Sequence, residues 1–420
     1  MHPISASSAA ETRPAASRAS KTLRLAYFVS HPIQYQAPLL RRIAREPDID
    51  LTVFFSSDHS VRGYKDSGFG VHVQWDVPLL DGYQYEFLPS LRKGDELGFA
   101  KPLNWGIFHR LRKGRFDAVW VFGYSSLASL NAIVAAKLLG IPVILRAESN
   151  LHDHTRSKMT LAAKQLLCAF LRSSTDCVVP IGKHNQEYWS HYFGKNFPAV
   201  VMPYAVDNDF FRRKALEAAP RREEFRRELG LDPGRPVILY ASKLQTRKRC
   251  IDLVEAYIRL SPLPGVDPPA YLLIVGDGEE RTALEARVRE SGLGSIRFLG
   301  FRNQTELPRF YDLCDLFVLP SYNETWGLIV NEVMNAGRPI IVTDQVGCQP
   351  DLVHDGLNGF VYPAFDVDRL SQCLRRLVDD SGVRATMGEN SLRIIQQYSF
   401  EQDVIGLRKA LAVSVPGFEA

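Results

Sequence analysis

The sequence predicts an α/β protein built from two similar halves, each a parallel sheet covered on both faces by helices. Three observations carry that reading. Short apolar runs alternate with helical stretches along most of the chain, the pattern of strands buried on both faces. The texture breaks once, over residues 207–234, where charge dominates and no strong apolar run occurs before Pro236. After the break the strand–helix alternation starts again.

In chain order, residues 23–29 (LRLAYFV) are the first strand, and a helix carrying Leu39, Leu40 and Ile43 follows. Residues 51–55 and 118–122 are the next strands. A helix through 132–139 stops at Gly140, and 142–145 resumes as strand. Residues 157–171 are helical, and 177–180 and 199–202 are two more short strands. The second half opens with a strand at 237–241 and a helix at 251–260. A strand at 271–275, a helix at 281–291 and a strand at 296–299 come next. Strands at 316–319 and 339–342 flank a helix at 327–336, and Leu370, Cys373, Leu374 and Leu377 form a helical stripe. The expected organisation is therefore a disordered tail at 1–20, one Rossmann-like domain over 21–205 and a second over 206–395. A last helix over 396–420 crosses back to the first domain. The natural ligand site is the cleft between the halves.

Composition excludes several classes. The net charge of +4 is too small for a concentrated nucleic-acid face. The 1–20 stretch is rich in Ala, Ser and Pro without an apolar core, so it is not a secretory signal. No window of about 18 apolar residues predicts a membrane-spanning helix. The six cysteines lack CxxC spacing and read as reduced and buried, which suits a cytoplasmic enzyme. No metal cluster is expected. Asp48-Ile49-Asp50 precedes a strand and reads as exposed, and His152 and His154 have no evident third ligand.

The most informative stretch is FVLPSYNETWGLIVNEVMNAGRPIIVTD. A strand ends in a polar loop holding Glu324, and a helix follows with Glu332 inside it, eight residues on. The amides of Trp326, Gly327 and Leu328 at the helix start are suited to a diphosphate. By spacing alone an ordinary helical glutamate would be the better explanation; the strand–loop–helix setting reverses that. In VILYASKLQTRKR, Lys243 and Lys248 lie just past a strand, where cations can face the cleft. A solvated basic loop is an equal alternative for that segment alone. Gly276-Asp277-Gly278 closes another strand and would line the same cleft edge, although GxG alone mostly marks a tight turn.

Together these pieces resemble the retaining glycosyltransferases of family 4, which have the GT-B fold: two Rossmann-like domains facing each other across a cleft. The resemblance covers residues 201–398 and adds Phe298-Leu299-Gly300-Phe301 and Asp355-Gly356-Leu357-Asn358-Gly359. The first half matches in architecture only. The resemblance implies that Glu332 binds ribose hydroxyls and Glu324 contacts the donor sugar. Lys243 and Lys248 would hold the diphosphate with the amides of Gly327 and Leu328, and the segment near Phe301 would flank the base. It further implies a nucleotide-sugar donor with no metal and no other cofactor, UDP ahead of GDP. The acceptor would be a carbohydrate or lipid-linked molecule of cell-surface polysaccharide or glycolipid assembly. Two departures stand out. Lysine occupies position 243 where the family usually has arginine, which keeps the charge but loses the bidentate fork. The strand end Phe122-Gly123-Tyr124 carries no histidine where many relatives have one.

Tyr124 and Ser125 are candidate replacements. Arg146 and Glu148, at the next strand end, either serve acceptor or donor or pair with each other. His31, Gln34 and Tyr35 lie in the first βα loop, which in this fold reaches the reaction centre. Residues 101–115 mix Trp105 and Phe108 with Arg110, Arg112, Lys113 and Arg115. That segment could dock peripherally on the inner face of the cell membrane, or form a packed helix with a solvated basic face. A non-catalytic nucleotide-sugar-binding subunit on the same fold is the alternative function. A sugar-nucleotide epimerase fits less well, lacking the acid/base groups it would need.

Overall fold

The computed structural model describes residues 22–420 apart from 67, 92–96 and 152–157. The tail expected at 1–20 and the His152–His154 pair lie outside the described residues. Two six-stranded parallel sheets organise the described chain. The first contains β1 (Leu23–Val29), β2 (Ile49–Phe55), β3 (Gln84–Phe87), β4 (Ala118–Phe122), β5 (Val143–Arg146) and β6 (Cys177–Val178). The second contains β7 (Val237–Ala241), β8 (Tyr271–Val275), β9 (Ile296–Gly300), β10 (Leu316–Leu319), β11 (Ile340–Thr343) and β12 (Gly359–Tyr362). Strand order is β3-β2-β1-β4-β5-β6 in the first and β9-β8-β7-β10-β11-β12 in the second. Each sheet therefore reverses direction once, between β1 and β4 and between β7 and β10. Crevices at such switch points are where ligands bind in open α/β sheets.

The strands are apolar because both faces are covered. Every residue of β7, β8, β10 and β11 is buried. Residues 199–202 are not a strand. Ala199 makes one isolated bridge to Val178; Met202 N still donates to Pro180 O, but Pro180 has no N–H to return to Val200, so the ladder stops. Two sheet strands escaped the sequence reading, β3 and β12, as did a short antiparallel ribbon, Tyr64–Lys65 with His72–Val73. The six cysteines are buried, and no disulfide links any two.

The chain passes between the two sheets twice, and the two passages touch. Tyr204 is still hydrogen-bonded to the first domain through Ile181, whereas Asp207 caps the helix Asn208–Ala218 of the second. On the way back, the carbonyls of Ile395 and Tyr398 accept from Asn208 Nδ2 at 3.2 and 3.0 Å. The final helix, Phe400–Ser414, then buries Val404, Leu407, Ala410 and Leu411 in the core of the first sheet.

Arg146 was expected at the cleft, serving a ligand or paired with Glu148. It is instead a buried anchor, 2% exposed, and its partner is Asp403 of the final helix at 3.2 Å. Its guanidinium also donates to the carbonyls of Met202 and Pro203 and lies over the Tyr204 ring. The first passage, the final helix and β5 thus share one cation. Burial pushes the Asp403 carboxyl up to about 7, against the pull of Arg146. Removing one member of such a pair strands the other. Arg146→Ala should therefore destabilise the protein by about 3–5 kcal/mol, measured by denaturant unfolding. The double change Arg146→Met with Asp403→Leu should recover most of the loss.

Candidate functional site

The switch point of the second sheet gathers the predicted cations and carboxylate. Lys243 and Lys248 follow β7, and Glu324 follows β10, the two strands that flank the reversal. Lys248 Nζ bonds Glu324 Oε2, and Arg247 lies 3.9 Å from the same oxygen. Lys248 and Glu324 are 8% and 7% exposed, so they meet in a largely dry setting. Burial pulls the Lys248 ammonium down, partly offset by Glu324. The Glu324 loop is held from behind: its amide donates to Gln345 O, and its carbonyl accepts from Gly347 N.

The Gly276-Asp277-Gly278 turn packs against the loop that carries Lys243. Gly276 sits at φ +136°, and a Cβ there would lie 1.9 Å from the carbonyl oxygen of Ser242. At Gly278 the obstacle is the carbonyl of Leu244, at 2.4 Å. The Asp277 carbonyl accepts from the Leu244 amide, and its side chain pairs with Arg281 at 2.6 Å. The turn is a backbone cradle for the loop that presents Lys243. The helix after Glu324 is Leu328–Met334, only seven residues. Peptide dipoles sum along a helix, so this one adds less at its start than a long helix would. The Trp326 side chain is 3% exposed, with Nε1 on Asn331 at 2.9 Å, and packs against Tyr204 of the first domain. Its ring belongs to the domain junction.

Glu332 receives the Tyr311 hydroxyl at 2.5 Å. Burial pushes its carboxyl up to about 7, with Tyr311 pulling the other way. Phe301, just past β9, meets the edge of Phe69 from the first domain at 4.8 Å.

The first domain closes the other side. Glu148, past β5, accepts on Oε1 from the Tyr35 hydroxyl at 3.1 Å and from the Tyr204 hydroxyl. Burial raises its carboxyl above the usual range, against the pull of the two tyrosines and Arg146. Glu148 lines a cavity of about 570 Å³ with Gly123, Tyr124, Ser149, Lys164 and, from the second domain, Thr325. Tyr124 is already engaged: its hydroxyl lies 2.6 Å from Ser149 Oγ and 2.7 Å from Tyr188 Oη. His31 bonds Ser30 Oγ through Nδ1 at 2.8 Å. Burial, with His59 nearby, takes its imidazole down to about 4, so it is neutral at pH 7. Gln34 shares that loop and is partly buried. Asp48 and Asp50 pair with Arg408 and Arg24, so the DxD spacing leaves no free acidic pair. Sequence reasoning placed Tyr35 beside His31 but missed Asp66 and Tyr204. Each of the latter two reaches the site from a distant segment, and no local motif marks it.

The raised Glu332 carboxyl has a measurable consequence. Its neutral form is favoured in the folded state, so that stabilisation is full below about pH 4.5 and is lost as pH rises through about 7. Melting temperatures of wild type should fall relative to Glu332→Gln between pH 5 and pH 8. A constant difference over that range would show an ordinary carboxyl.

Residues 221–393 match the family described as glycosyl transferases group 1. Alpha-D-kanosaminyltransferase of Streptomyces kanamyceticus is 34% identical over 191 residues, 45% of this chain and 47% of its own. The lipopolysaccharide core biosynthesis glycosyltransferase LpsE of Rhizobium meliloti is 31% identical over 168 residues, 40% of this chain and 46% of its own. The chain thus spans about half the length of these curated relatives. Among solved structures, HepE of Anabaena, crystallised with UDP and glucose, superposes with a TM-score of 0.70 at 16% identity. That superposition covers 93% of this chain and 99% of HepE.

Proposed function

We propose, from the match of residues 221–393 to the glycosyl transferases group 1 and from the GT-B fold, that the protein moves a sugar from a nucleotide-diphosphate donor to an acceptor. The observation that carries the reading is the meeting of Lys243, Lys248 and Glu324 at the switch point of the second sheet. Two cations at strand ends suit a diphosphate, and the Gly276–Gly278 cradle sets where Lys243 stands. Glu332 takes the ribose hydroxyls, Phe301 flanks the base, and Glu324 turns to the donor sugar once the diphosphate engages Lys248.

Transfer proceeds with retention. The bond between the sugar's anomeric carbon and the diphosphate oxygen breaks, and a bond to the acceptor oxygen forms on the same face. The acceptor's proton passes to a departing phosphate oxygen. The protein's part is to stabilise that leaving group and to align the reactants. The chemistry assigned here uses no metal. Glu148 and neutral His31 supply hydrogen bonds from the first domain, and Glu148 faces the acceptor through the cavity it shares with Thr325. UDP is favoured over GDP. The acceptor class is a glycan or glycolipid of the cell surface, in line with the lipopolysaccharide core biosynthesis that LpsE serves. A binding subunit without turnover is the second reading, favoured by the strand end Gly123-Tyr124, whose tyrosine is committed to Ser149 and Tyr188.

A thermal-shift screen of nucleotides and nucleotide sugars would identify the donor, because ligands stabilise the state they bind. Lys243→Met should weaken nucleoside diphosphate binding about 10- to 100-fold by calorimetry, the value of a charge-assisted hydrogen bond to phosphate. Glu324→Gln should lower turnover of that donor on the order of 10²–10³ while binding persists. Donor binding with no turnover in wild type would favour the second reading.

Among the described residues no helix is long and apolar enough to cross a membrane. We propose peripheral docking instead. Helix Ile107–Gly114 buries Ile107 and Leu111 and leaves Phe108 42% exposed, beside Trp105 at 56% and the exposed Arg112, Lys113 and Arg115. This face suits an anionic lipid surface. Vesicles rich in anionic lipid should sediment the protein at low salt and release it at high salt; sedimentation unchanged by salt would rule out an electrostatic contact.

A further inference from the structure

We infer that the first domain's ribbon is a built-in competitor of the donor: it seats a carboxylate on the cation, and an aromatic ring against the ring, that a nucleoside diphosphate would use. The inference rests on the donor-site reading above. The ribbon, Tyr64–Lys65 with His72–Val73, follows β2, and its turn reaches across the cleft to the second domain. Asp66 takes Lys243 Nζ with both carboxylate oxygens, at 2.7 and 2.9 Å. Phe69 lies 4.8 Å from Phe301, edge to face, and Lys243 Nζ stands 4.7 Å over the Phe69 ring. Farther out, Asn303 Nδ2 donates to Gln74 O at 2.7 Å, and the Thr305 amide donates to Asp76 Oδ2 at 3.2 Å.

These contacts imitate a ligand in kind and in order: an anion at Lys243 and a flat ring at Phe301. The anion is shaped for its place. Asp66 Oδ1 also accepts from the amides of Gly68 and Phe69, at 2.8 and 2.9 Å. Burial pulls the carboxyl up, but Lys243 and these amides outweigh it and hold it below the usual range, so it is charged at neutral pH. A diphosphate cannot share Lys243 with that charge, because like charges a few ångströms apart repel. A donor must therefore lift the ribbon. The latch is weak enough to lift, since Lys243 is 30% exposed and such partly solvated pairs are worth little.

The experiment is calorimetric titration with UDP, ADP and GDP of wild type and Asp66→Asn, with hydrogen exchange followed over residues 69–76. Removing the competing charge should tighten nucleoside diphosphate binding about 3- to 10-fold. Saturating nucleotide should raise exchange over 69–76 in wild type. Binding that is equal or weaker in Asp66→Asn, or exchange that falls on nucleotide addition, overturns the competitor role and leaves the donor site standing. Failure of all three nucleotides to bind either protein overturns the donor-site reading and this inference with it. Binding confined to Asp66→Asn supports it in its strongest form. A melting temperature of the variant within a few degrees of wild type confirms that folded proteins are being compared.

Discussion

Much of this molecule hangs on one buried cation. Arg146 stands at the end of β5, out of water, where an unpaired charge would be severely penalised. Its compensation comes from three places: the Asp403 carboxylate, the carbonyls of Met202 and Pro203, and the face of Tyr204. Each partner belongs to a segment that joins the two domains. Holding Tyr204 against Arg146 also directs its hydroxyl to Glu148, which Tyr35 bonds from the first βα loop. One guanidinium thus ties the return helix to the first sheet and sets the orientation of the carboxylate that faces the cleft.

That arrangement explains which parts of the fold were legible. Strands β4, β7, β8 and β10 are continuous apolar runs and β1 is broken only by Arg24, because both faces of their sheets are covered, and their bounds coincide with the sequence reading. β3 was invisible for the opposite reason: Gln84–Phe87 is an edge strand, largely open to water. β12 was hidden behind a turn signal. It begins at Gly359, where a Cβ would lie 1.8 Å from the Ile340 carbonyl oxygen, so the glycine marks close strand approach as well as a turn.

The site divides in the same way. Lys243, Lys248, Glu324 and Glu332 lie in contiguous segments next to strong strands, so local order places them. Arg146 could be placed at a strand end but not oriented, because its partner Asp403 lies 257 residues away. Asp66 pairs over 177 residues, in a ribbon with no apolar run of its own. Long-range pairs between polar groups leave no period in a sequence, and the first domain's share of the cleft is made almost wholly of them.

The first chain passage runs beside β6, the outer strand at one edge of the first sheet, and Asn208 stitches the second passage to it. The ribbon follows β2 and reaches residues just past β9, at the opposite side of both sheets. With neighbouring strands about 4.8 Å apart, these two junctions are separated by roughly 20 Å. The geometry is that of a lever with its pivot at one end and its catch at the other. A rotation about that pivot would open the gap widest at the catch, where Asp66 holds Lys243. An ion pair, a ring edge and two hydrogen bonds, placed at the long end of that arm, would resist such a turn with more leverage than the same contacts near the pivot.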